Sequence, residues 1–395
     1  MTVYHCEICQ YTTNQKSRMD AHKARKNSCK PNSLLNKLVE EKVREVLATV
    51  APVAPVAPVA PVAPVAPVAS LTIVKPFLKW VGGKTQIIED VMNLFPKTMK
   101  NYHEPFVGGG SVLLALLSYV NAGLITISGK IYASDLNANL IYLYKHIQSS
   151  PDDIIREIKL LMNQCPKYFT PLSKVAQSDM DTLSNEMSRL SNIVQRSQNG
   201  DNIDIATISP ETYYYSIRDR YNALKDDDRN SICASAMFLY LNKTCFRGVF
   251  REGPRGFNVP FGHYNDPGII DETHIQSLSR LIRNVEFCVQ SFSKSLDLTN
   301  NGDFVYLDPP YAPETTTSFV GYTGDGFGLD HHSLLFRTCT EMKGKNVKML
   351  MSNANVKLVR DAFPSPTFQI RAIQARRAIH SKKPDAKTTE VLITN

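Results

Sequence analysis

The chain has 395 residues, of which 43% are hydrophobic and 21% charged, and its formal net charge at pH 7 is +8. This composition is ordinary for a globular protein and excludes a wholly disordered or collagen-like chain. The excess of 45 Lys and Arg over 37 Asp and Glu is compatible with a polyanionic partner. The first residues contain Cys6 and Cys9 instead of an apolar stretch, so we expect an intracellular protein that is not secreted.

The N-terminal segment has the ligand spacing of a zinc site. Two residues separate Cys6 from Cys9, twelve separate Cys9 from His22, and six separate His22 from Cys29. A ββα finger draws two zinc ligands from a turn and two from a helix, and the segment resembles a C2H2-type finger whose last His is a Cys. We predict a structural Zn²⁺ held by these four residues, with His5 as a spare ligand. A tail that does not fold is the alternative.

Two segments of distinct composition follow. Apolar residues recur at steps of three or four over residues 31–50, which predicts an amphipathic helix that docks or oligomerises. The triplet Ala-Pro-Val then repeats six times from Ala51. A proline at every third position favours polyproline II over helix or strand. We predict that residues 51–70 form a stiff spacer, and repeat slippage without function is the alternative.

From residue 71 onward, short β-rich runs alternate with helical patterns, which is typical of a doubly wound α/β sheet. The predicted strands cover residues 130–133, 304–307, 348–351 and 390–393. Between residues 164 and 209 Ser, Asn, Asp and Gln are frequent, which predicts a partly disordered surface insertion.

Three consecutive glycines predict a cofactor site. A short strand runs into Gly108, Gly109 and Gly110, and an apolar helix follows at 112–119. Glycine lets the backbone approach a bound molecule closely, and a helix N-terminus favours negative charge. Asp135 ends the next strand, 25 residues beyond Gly110, where an acid can accept hydrogen bonds from ribose hydroxyls. Together these features indicate an adenosyl cofactor, and an ordinary turn with a capping acid is the alternative.

The sequence Asp308-Pro-Pro-Tyr311 follows the predicted strand 304–307 directly. The acid and the Pro309 carbonyl can accept the hydrogens of a planar exocyclic amine while the tyrosine stacks on its ring. Pro309 and Pro310 bring no N–H donor that would compete. The pattern predicts a site that orients such an amine, and a bare turn is the alternative.

Basic and aromatic residues alternate between Tyr240 and Tyr264. They are Lys243, Arg247, Arg251 and Arg255 with Phe246, Phe250, Phe257 and Phe261. On a compact loop, Arg and Lys side chains can hydrogen-bond to the edges of DNA bases, and aromatic rings can insert between stacked bases. A solvated basic hairpin is the alternative. The basic residues from Arg371 to Lys387 favour phosphate contact, and an ordinary solvated loop is the alternative. His331 and His332 are predicted to be capping or surface residues.

Several motifs in chain order resemble the Dam-type, D12 class (alpha group) of DNA adenine N6-methyltransferases. They are Phe77-Leu-Lys-Trp80-Val-Gly-Gly-Lys84, Glu104-Pro-Phe-Val-Gly-Gly-Gly110, Leu241-Asn-Lys-Thr-Cys-Phe-Arg-Gly-Val-Phe-Arg251, Phe257-Asn-Val-Pro-Phe-Gly262, Asp308-Pro-Pro-Tyr311 and Ser352-Asn353. The resemblance implies a Rossmann-like, S-adenosylmethionine-dependent α/β sheet with an inserted, mostly helical target-recognition domain. It implies site-specific adenine methylation of double-stranded DNA, with a cognate restriction nuclease as a candidate partner.

The resemblance also implies residue roles. The implied S-adenosylmethionine contacts are Trp80, Lys84, Glu104, Phe106, Gly108, Gly110, Asp135 and Asp308. The implied catalytic residues are Asp308, Pro309, Pro310 and Tyr311. The implied DNA contacts are Phe246, Arg247, Val249, Arg251, Asn258 and Pro260. In these roles Arg251 reads guanine, Phe246 intercalates, and Val249 and Pro260 face thymine methyl groups. Arg247 stands where the best-known members carry Asn, so both GATC and a related short site remain candidates.

The implied organisation has five parts. They are a zinc-finger module (1–30), an amphipathic helix (31–50), a linker (51–70), a catalytic domain (71–148 and 285–395) and a target-recognition domain (149–284). A zinc finger on a bacterial-type enzyme is compatible with residence in the nucleus, the cytoplasm or a viral factory. The alternative functions are non-catalytic DNA tethering on the same fold and methylation of an amine in RNA or protein.

Overall fold

The computed structural model describes residues 4–5, 12–13, 20, 71–165, 209–313, 327–376 and 387–395. The predicted zinc ligands, the helix at 31–50, the spacer at 51–70 and most of the predicted insertion lie outside these residues. Within them, no three His, Cys, Asp or Glu side chains are grouped to hold a metal ion. No helix of the described ranges is long and apolar enough to cross a bilayer.

Two compact units divide the chain, Met1–Ala66 and Pro67–Asn395. In the first unit, strand β1 (Tyr4–His5) pairs antiparallel with β2 (Thr12–Thr13).

The second unit contains the helices α1 (Ile88–Met92), α2 (Ser111–Asn121), α3 (Ala138–Ser149), α4 (Pro151–Gln164), α5 (Pro210–Asn222), α6 (Ile232–Thr244), α7 (Glu272–Leu281), α8 (Phe292–Asp297), α9 (Leu329–Gly344) and α10 (Lys357–Ala362). Its strands are β3 (Thr98–Met99), β4 (Tyr102–Glu104), β5 (Thr126–Ile127), β6 (Ile131–Asp135), β7 (Glu252–Gly253), β8 (Gly256–Phe257), β9 (Val285–Val289), β10 (Phe304–Leu307), β11 (Lys348–Ala354), β12 (Gln369–Arg376) and β13 (Lys387–Thr394). Short 3₁₀ turns cover Asp226–Asn230 and Phe246–Gly248.

A seven-stranded sheet has the order β12-β13-β11-β10-β4-β6-β9. The strands from β11 to β9 in this order are mutually parallel, and β13 lies antiparallel between β11 and β12. The strand order reverses between β4 and β10, because the chain builds outward from β4 through β6 and β9, and on the other side from β10 to β11. In open α/β sheets, ligands bind beyond the carboxyl ends of the strands at such a switch point.

The four predicted strands are confirmed as β6, β10, β11 and β13, and the predicted helix at 112–119 lies within α2. All four residues of β10 are buried, which explains their uninterrupted apolar sequence, since a central parallel strand is covered on both faces. The α/β prediction is therefore confirmed at the level of the sheet.

Residues 149–284 are mostly helical among those described. Helix α6 is buried nearly all round because it contacts α3, α4 and α5. Its side chains belong to the same buried cluster as those of β4 and β6, and the whole segment lies in one compact unit with the sheet. The boundaries of a separate target-recognition domain stay a prediction.

The two histidines at the start of α9 differ in their surroundings. His331 Nδ1 accepts a hydrogen bond from the Gly328 N–H at 3.3 Å, as expected of a capping residue. For His332 the prediction of a capping or surface position is wrong, because this residue is 1% exposed and packs against Phe327 and Phe336. Burial lowers the pKa of His332 to about 4, so its ring is neutral at pH 7.

Candidate active site

Three acids lie at the carboxyl ends of adjacent strands. Glu104 ends β4, Asp135 ends β6, and Asp308 follows β10. Because β6, β4 and β10 are neighbours in the sheet, residues that are far apart in sequence meet at one edge. This edge is the switch point described above, and it contains the predicted cofactor and catalytic residues.

Lys84 forms a buried ion pair with Asp308. Its Nζ lies 2.6 Å from Asp308 Oδ2, with 6% and 19% of the two side chains exposed. The same ammonium donates to the Gly82 carbonyl at 2.7 Å and lies 5.1 Å from the centre of the Tyr311 ring. Burial raises the pKa of Asp308, and the adjacent Lys84 charge opposes that rise. The structure therefore brings together the segment Phe77–Lys84, which we call the opening motif, and the predicted catalytic residues Asp308–Tyr311, which we call the catalytic motif.

Two neighbouring strands hold the end of the catalytic motif. The Tyr311 hydroxyl donates a hydrogen bond to Glu390 Oε2 of β13 at 2.7 Å. The backbone N–H of the next residue, Ala312, donates to Asn353 Oδ1 of β11 at 3.0 Å. Burial, with the charges of Asp308 and Glu390, raises the pKa of Tyr311 well above its ordinary value. The phenol thus stays protonated and acts as the donor.

The glycine turn is shaped by backbone geometry and by Trp80. Gly108 and Gly110 have φ of +47° and +71°, a region that L-residues with side chains rarely adopt. Gly109 is needed for another reason, since a Cβ there would lie 2.7 Å from Trp80 Cβ. The Gly108 N–H donates to Asp135 Oδ2 at 3.1 Å. The turn, the indole and the acid therefore form one packed arrangement.

The acids near the turn are strongly desolvated. Burial raises the pKa of Glu104 to about 8, although the Tyr102 hydroxyl, which donates to Glu104 Oε2 at 2.7 Å, opposes the rise. Burial also raises the pKa of Asp135, against hydrogen bonds from backbone N–H groups that include Asn137. Phe106 is half-buried and stacks on Phe292 with ring centres 5.6 Å apart.

These groups suit S-adenosylmethionine chemically. Carboxyl oxygens accept hydrogen bonds from ribose hydroxyls and stabilise a positively charged sulfonium, and aromatic faces such as those of Trp80 and Phe106 can flank a purine.

All six predicted DNA contacts lie on one segment around the β7–β8 hairpin. Phe246 is 48% exposed, and the others are exposed except for Val249, which is half-buried. The Phe246 N–H donates to the Pro260 carbonyl at 2.8 Å, and Arg251 Nε donates to Asn258 Oδ1 at 2.7 Å. The Arg247 guanidinium lies 5.2 Å from the centre of the Phe246 ring. We call residues 245–262 the reader loop.

The phenylalanines of this segment divide into two groups. Phe257 and Phe261 are buried, and Phe250 stacks on Trp80 with ring centres 5.9 Å apart. Among the four aromatics singled out in the sequence, Phe246 alone is exposed to a degree that permits insertion between bases.

Where it is described, the basic C-terminal segment belongs to the edge strand β12 and to its neighbour β13. Arg371 and Arg376 belong to β12, and Lys387 begins β13. Its remaining predicted phosphate contacts, Arg377, Lys382 and Lys383, lie outside the described residues.

Sequence reasoning gave no role to Asn242 or Glu390, although the first lies in a quoted motif and the second in a predicted strand. The Asn242 side chain accepts from the Lys79 N–H at 3.0 Å and donates to the Lys79 and Gly248 carbonyls at 2.8 and 3.2 Å. It thereby joins the opening motif to the reader loop. The available signal was a polar residue at the end of the apolar run of α6. For Glu390 the signal was an acid at the first position of the predicted strand 390–393.

Comparisons with known proteins show the family of the chain. The sequence profile of the D12 class of N6 adenine-specific DNA methyltransferases matches residues 80–379. The chain is 32% identical to the type II methyltransferase M.MjaIII of Methanocaldococcus jannaschii, over 82% of this chain and 99% of that protein. It is 27% identical to M1.LlaDCHI of Lactococcus lactis subsp. cremoris, over 82% and 95% of the two chains. The DNA adenine methylase of Escherichia coli K12 is 26% identical, over 81% and 94%.

Among solved structures, TrmN from Thermus thermophilus aligns with 79% of this chain and 47% of its own length, at 9% identity. The TM-score of 0.28 is too low to support a conclusion about fold or function.

Proposed function

The chain belongs to the D12 class of N6 adenine-specific DNA methyltransferases, and on that premise we propose that it methylates an adenine flipped out of duplex DNA at the Asp308–Tyr311 site. When bound, S-adenosylmethionine supplies the activated methyl group. The residues proposed to hold it are Trp80, Lys84, Glu104, Phe106, Gly108, Gly110, Asp135 and Asp308.

One observation carries the proposal: Asp308 lies at the switch point of the sheet, paired with Lys84 and beside the Tyr311 ring. A carboxylate there accepts one hydrogen of the adenine amine, and the Pro309 carbonyl accepts the other, so the nitrogen lone pair points away from both. Lys84 bonds one carboxylate oxygen, which leaves the other oxygen of Asp308 for the amine. Tyr311 stacks on the base and fixes its plane.

The proposed target is GATC or a related short site. The support is the exposure of Phe246, Arg247 and Arg251 on the reader loop, because Arg forks read guanine edges and an exposed ring can fill the space that a flipped base leaves. Arg251 is held by Asn258, which restricts the orientation of its guanidinium.

Transfer of tritium from labelled S-adenosylmethionine to unmethylated plasmid DNA tests both parts. We expect Asp308→Ala to reduce incorporation at least 100-fold and to leave duplex binding within about threefold, since Asp308 acts on the amine. The control is Asp297→Ala, an exposed acid at the end of α8. Turnover by Asp308→Ala would refute the catalytic assignment. Digestion with enzymes that distinguish methylated from unmethylated GATC decides the site, since incorporation without protection of GATC would assign another sequence.

For the N-terminal unit we propose a structural zinc ion bound by Cys6, Cys9, His22 and Cys29. The antiparallel pairing of Tyr4–His5 with Thr12–Thr13 supports it, because the segment between these strands contains both cysteines of the first pair. Zinc analysis of the full chain should give one equivalent, and Cys9→Ser should remove it. Equal zinc content in the two proteins would contradict the assignment.

A further inference from the structure

Glu390 is a charged residue that reaches the catalytic motif from the far end of the chain. It lies on β13, where the antiparallel register places it opposite Ala354 of β11. Its Oε2 accepts the hydrogen bond of the Tyr311 hydroxyl at 2.7 Å. The two residues are 79 positions apart in the sequence. This contact therefore depends on the insertion of β13 into the sheet beside β11.

The Tyr311 side chain is held by contacts of the adjacent backbone and of its hydroxyl group. Its backbone continues into Ala312, whose N–H donates to Asn353 Oδ1 at 3.0 Å, and Asn353 is fully buried on β11. Its hydroxyl is bound by Glu390, and the Lys84 ammonium lies 5.1 Å from the ring centre. The phenolic oxygen lies on the Cβ–Cγ axis, so a hydrogen bond at the hydroxyl fixes χ1 and the direction in which the ring points. Because the phenolic O–H prefers to lie in the plane of the ring, an acceptor at a fixed position also disfavours rotation of the ring about χ2.

A fixed ring plane matters for the chemistry proposed here. A base stacked on Tyr311 takes its orientation from that plane, and the angle of its amine toward Asp308 follows. Small errors in such an angle reduce the rate of transfer strongly. Hydrogen bonds to a charged group are stronger than those between neutral groups, so a carboxylate is well suited to this task.

We propose that Glu390 is a positioning residue for methyl transfer, which holds the Tyr311 ring through its hydroxyl in the orientation that stacks on the target adenine. This inference rests on the proposed function of Asp308 and Tyr311. Glu390 acts on the reaction through Tyr311.

A double-mutant cycle tests the inference on the full chain. Glu390→Ala and Tyr311→Phe each remove the same hydrogen bond, the first from β13 and the second from the ring. We expect each to lower kcat about 10-fold or more, with the KM for S-adenosylmethionine changed less than about twofold. The double variant should be no slower than the worse single variant. Glu390→Gln, which keeps an acceptor oxygen, should restore most of kcat.

The control is Thr389→Ala, at the residue that precedes Glu390 on β13. This variant removes the hydrogen bond that Gln374 Nε2 of β12 donates to Thr389 Oγ1 at 3.0 Å, and it should leave kcat unchanged. A wild-type kcat in Tyr311→Phe would overturn the inference, even if Glu390→Ala did not fold. Losses that multiply in the double variant would also overturn it. Neither result depends on Asp308→Ala, which tests the proposed function separately: an inactive Asp308→Ala with a normal Tyr311→Phe would refute the role of Glu390 alone.

Discussion

The ammonium of Lys84 and the carboxylate of Asp308 are 2.6 Å apart and are both largely shielded from water. They come from positions 224 residues apart, and the pair connects the segment before α1 with the end of β10. Since burial raises the pKa of Asp308 and the Lys84 charge opposes this, the lysine favours the ionised carboxylate. That form is the one that accepts hydrogens from an amine.

Replacing Lys84 with Met should therefore change the pH dependence of the enzyme. Without the ammonium, the pKa of Asp308 rises further, and the acid limb of the kcat profile should move to higher pH. The loss of activity should be larger at pH 6.5 than at pH 8.5, which kcat measured from pH 5.5 to 9 will show. Lys345→Met, at an exposed position, should retain the wild-type profile. An equal loss at every pH would contradict this explanation.

Glu104 should make folding less favourable as pH rises. Its pKa is about 8 in the folded protein against an ordinary value of 4.5. Between pH 4.5 and pH 8, the carboxyl group is therefore protonated in the folded state and ionised in the unfolded state. The stabilisation is complete below pH 4.5 and is lost as pH rises through about 8, with a slope of at most about 1.4 kcal/mol per pH unit. Glu104→Gln should flatten this slope in urea unfolding at pH 5 to 8.5.

Glu341→Gln is the matched control for Glu104, because its side chain is 58% exposed. It should leave the slope unchanged. If Glu104→Gln also left the slope unchanged, Glu104 would have to be ionised in the folded protein at neutral pH.

Asn242→Ala should destabilise the protein by about 2 kcal/mol, because the Lys79 N–H and the two carbonyls bound by Asn242 lose their partner in a buried place. It should also weaken DNA binding, since the reader loop loses its link to the opening motif. Urea unfolding and a DNA titration measure the two effects. Asn301→Ala removes one hydrogen bond at an exposed position and should change the free energy of unfolding by less than about 0.5 kcal/mol.

Local sequence patterns were sufficient to predict the central strand β10 and the glycine turn, which carry the candidate active site. The run Phe304–Leu307 is apolar because β10 is buried on both faces, and Asp308 directly after it is therefore at the carboxyl end of a central strand. The glycines of the turn predict that another group packs closely against the backbone there. In the structure that group is the Trp80 side chain.

Residues whose role depends on strand order or long-range packing could not be predicted in this way. Glu390 meets Tyr311 because β13 is inserted antiparallel beside β11, and no local pattern encodes that position. His332 is polar and near a helix start, which predicts exposure, yet the aromatic rings of Phe327 and Phe336 enclose it. In both cases a contact across the fold overrides the local preference.

Phe246 and Phe250 lie four residues apart and should respond in opposite ways to truncation. Phe246 is 48% exposed, so Phe246→Ala should change the free energy of unfolding by less than about 0.5 kcal/mol. It should weaken binding to the unmethylated substrate duplex about 10-fold, because the ring that would enter the base stack is gone. Phe250 stacks on Trp80 and contacts Phe257, so Phe250→Ala should destabilise the protein by about 2 kcal/mol. Unchanged DNA affinity in Phe246→Ala would mean that another residue occupies the space left by the flipped base.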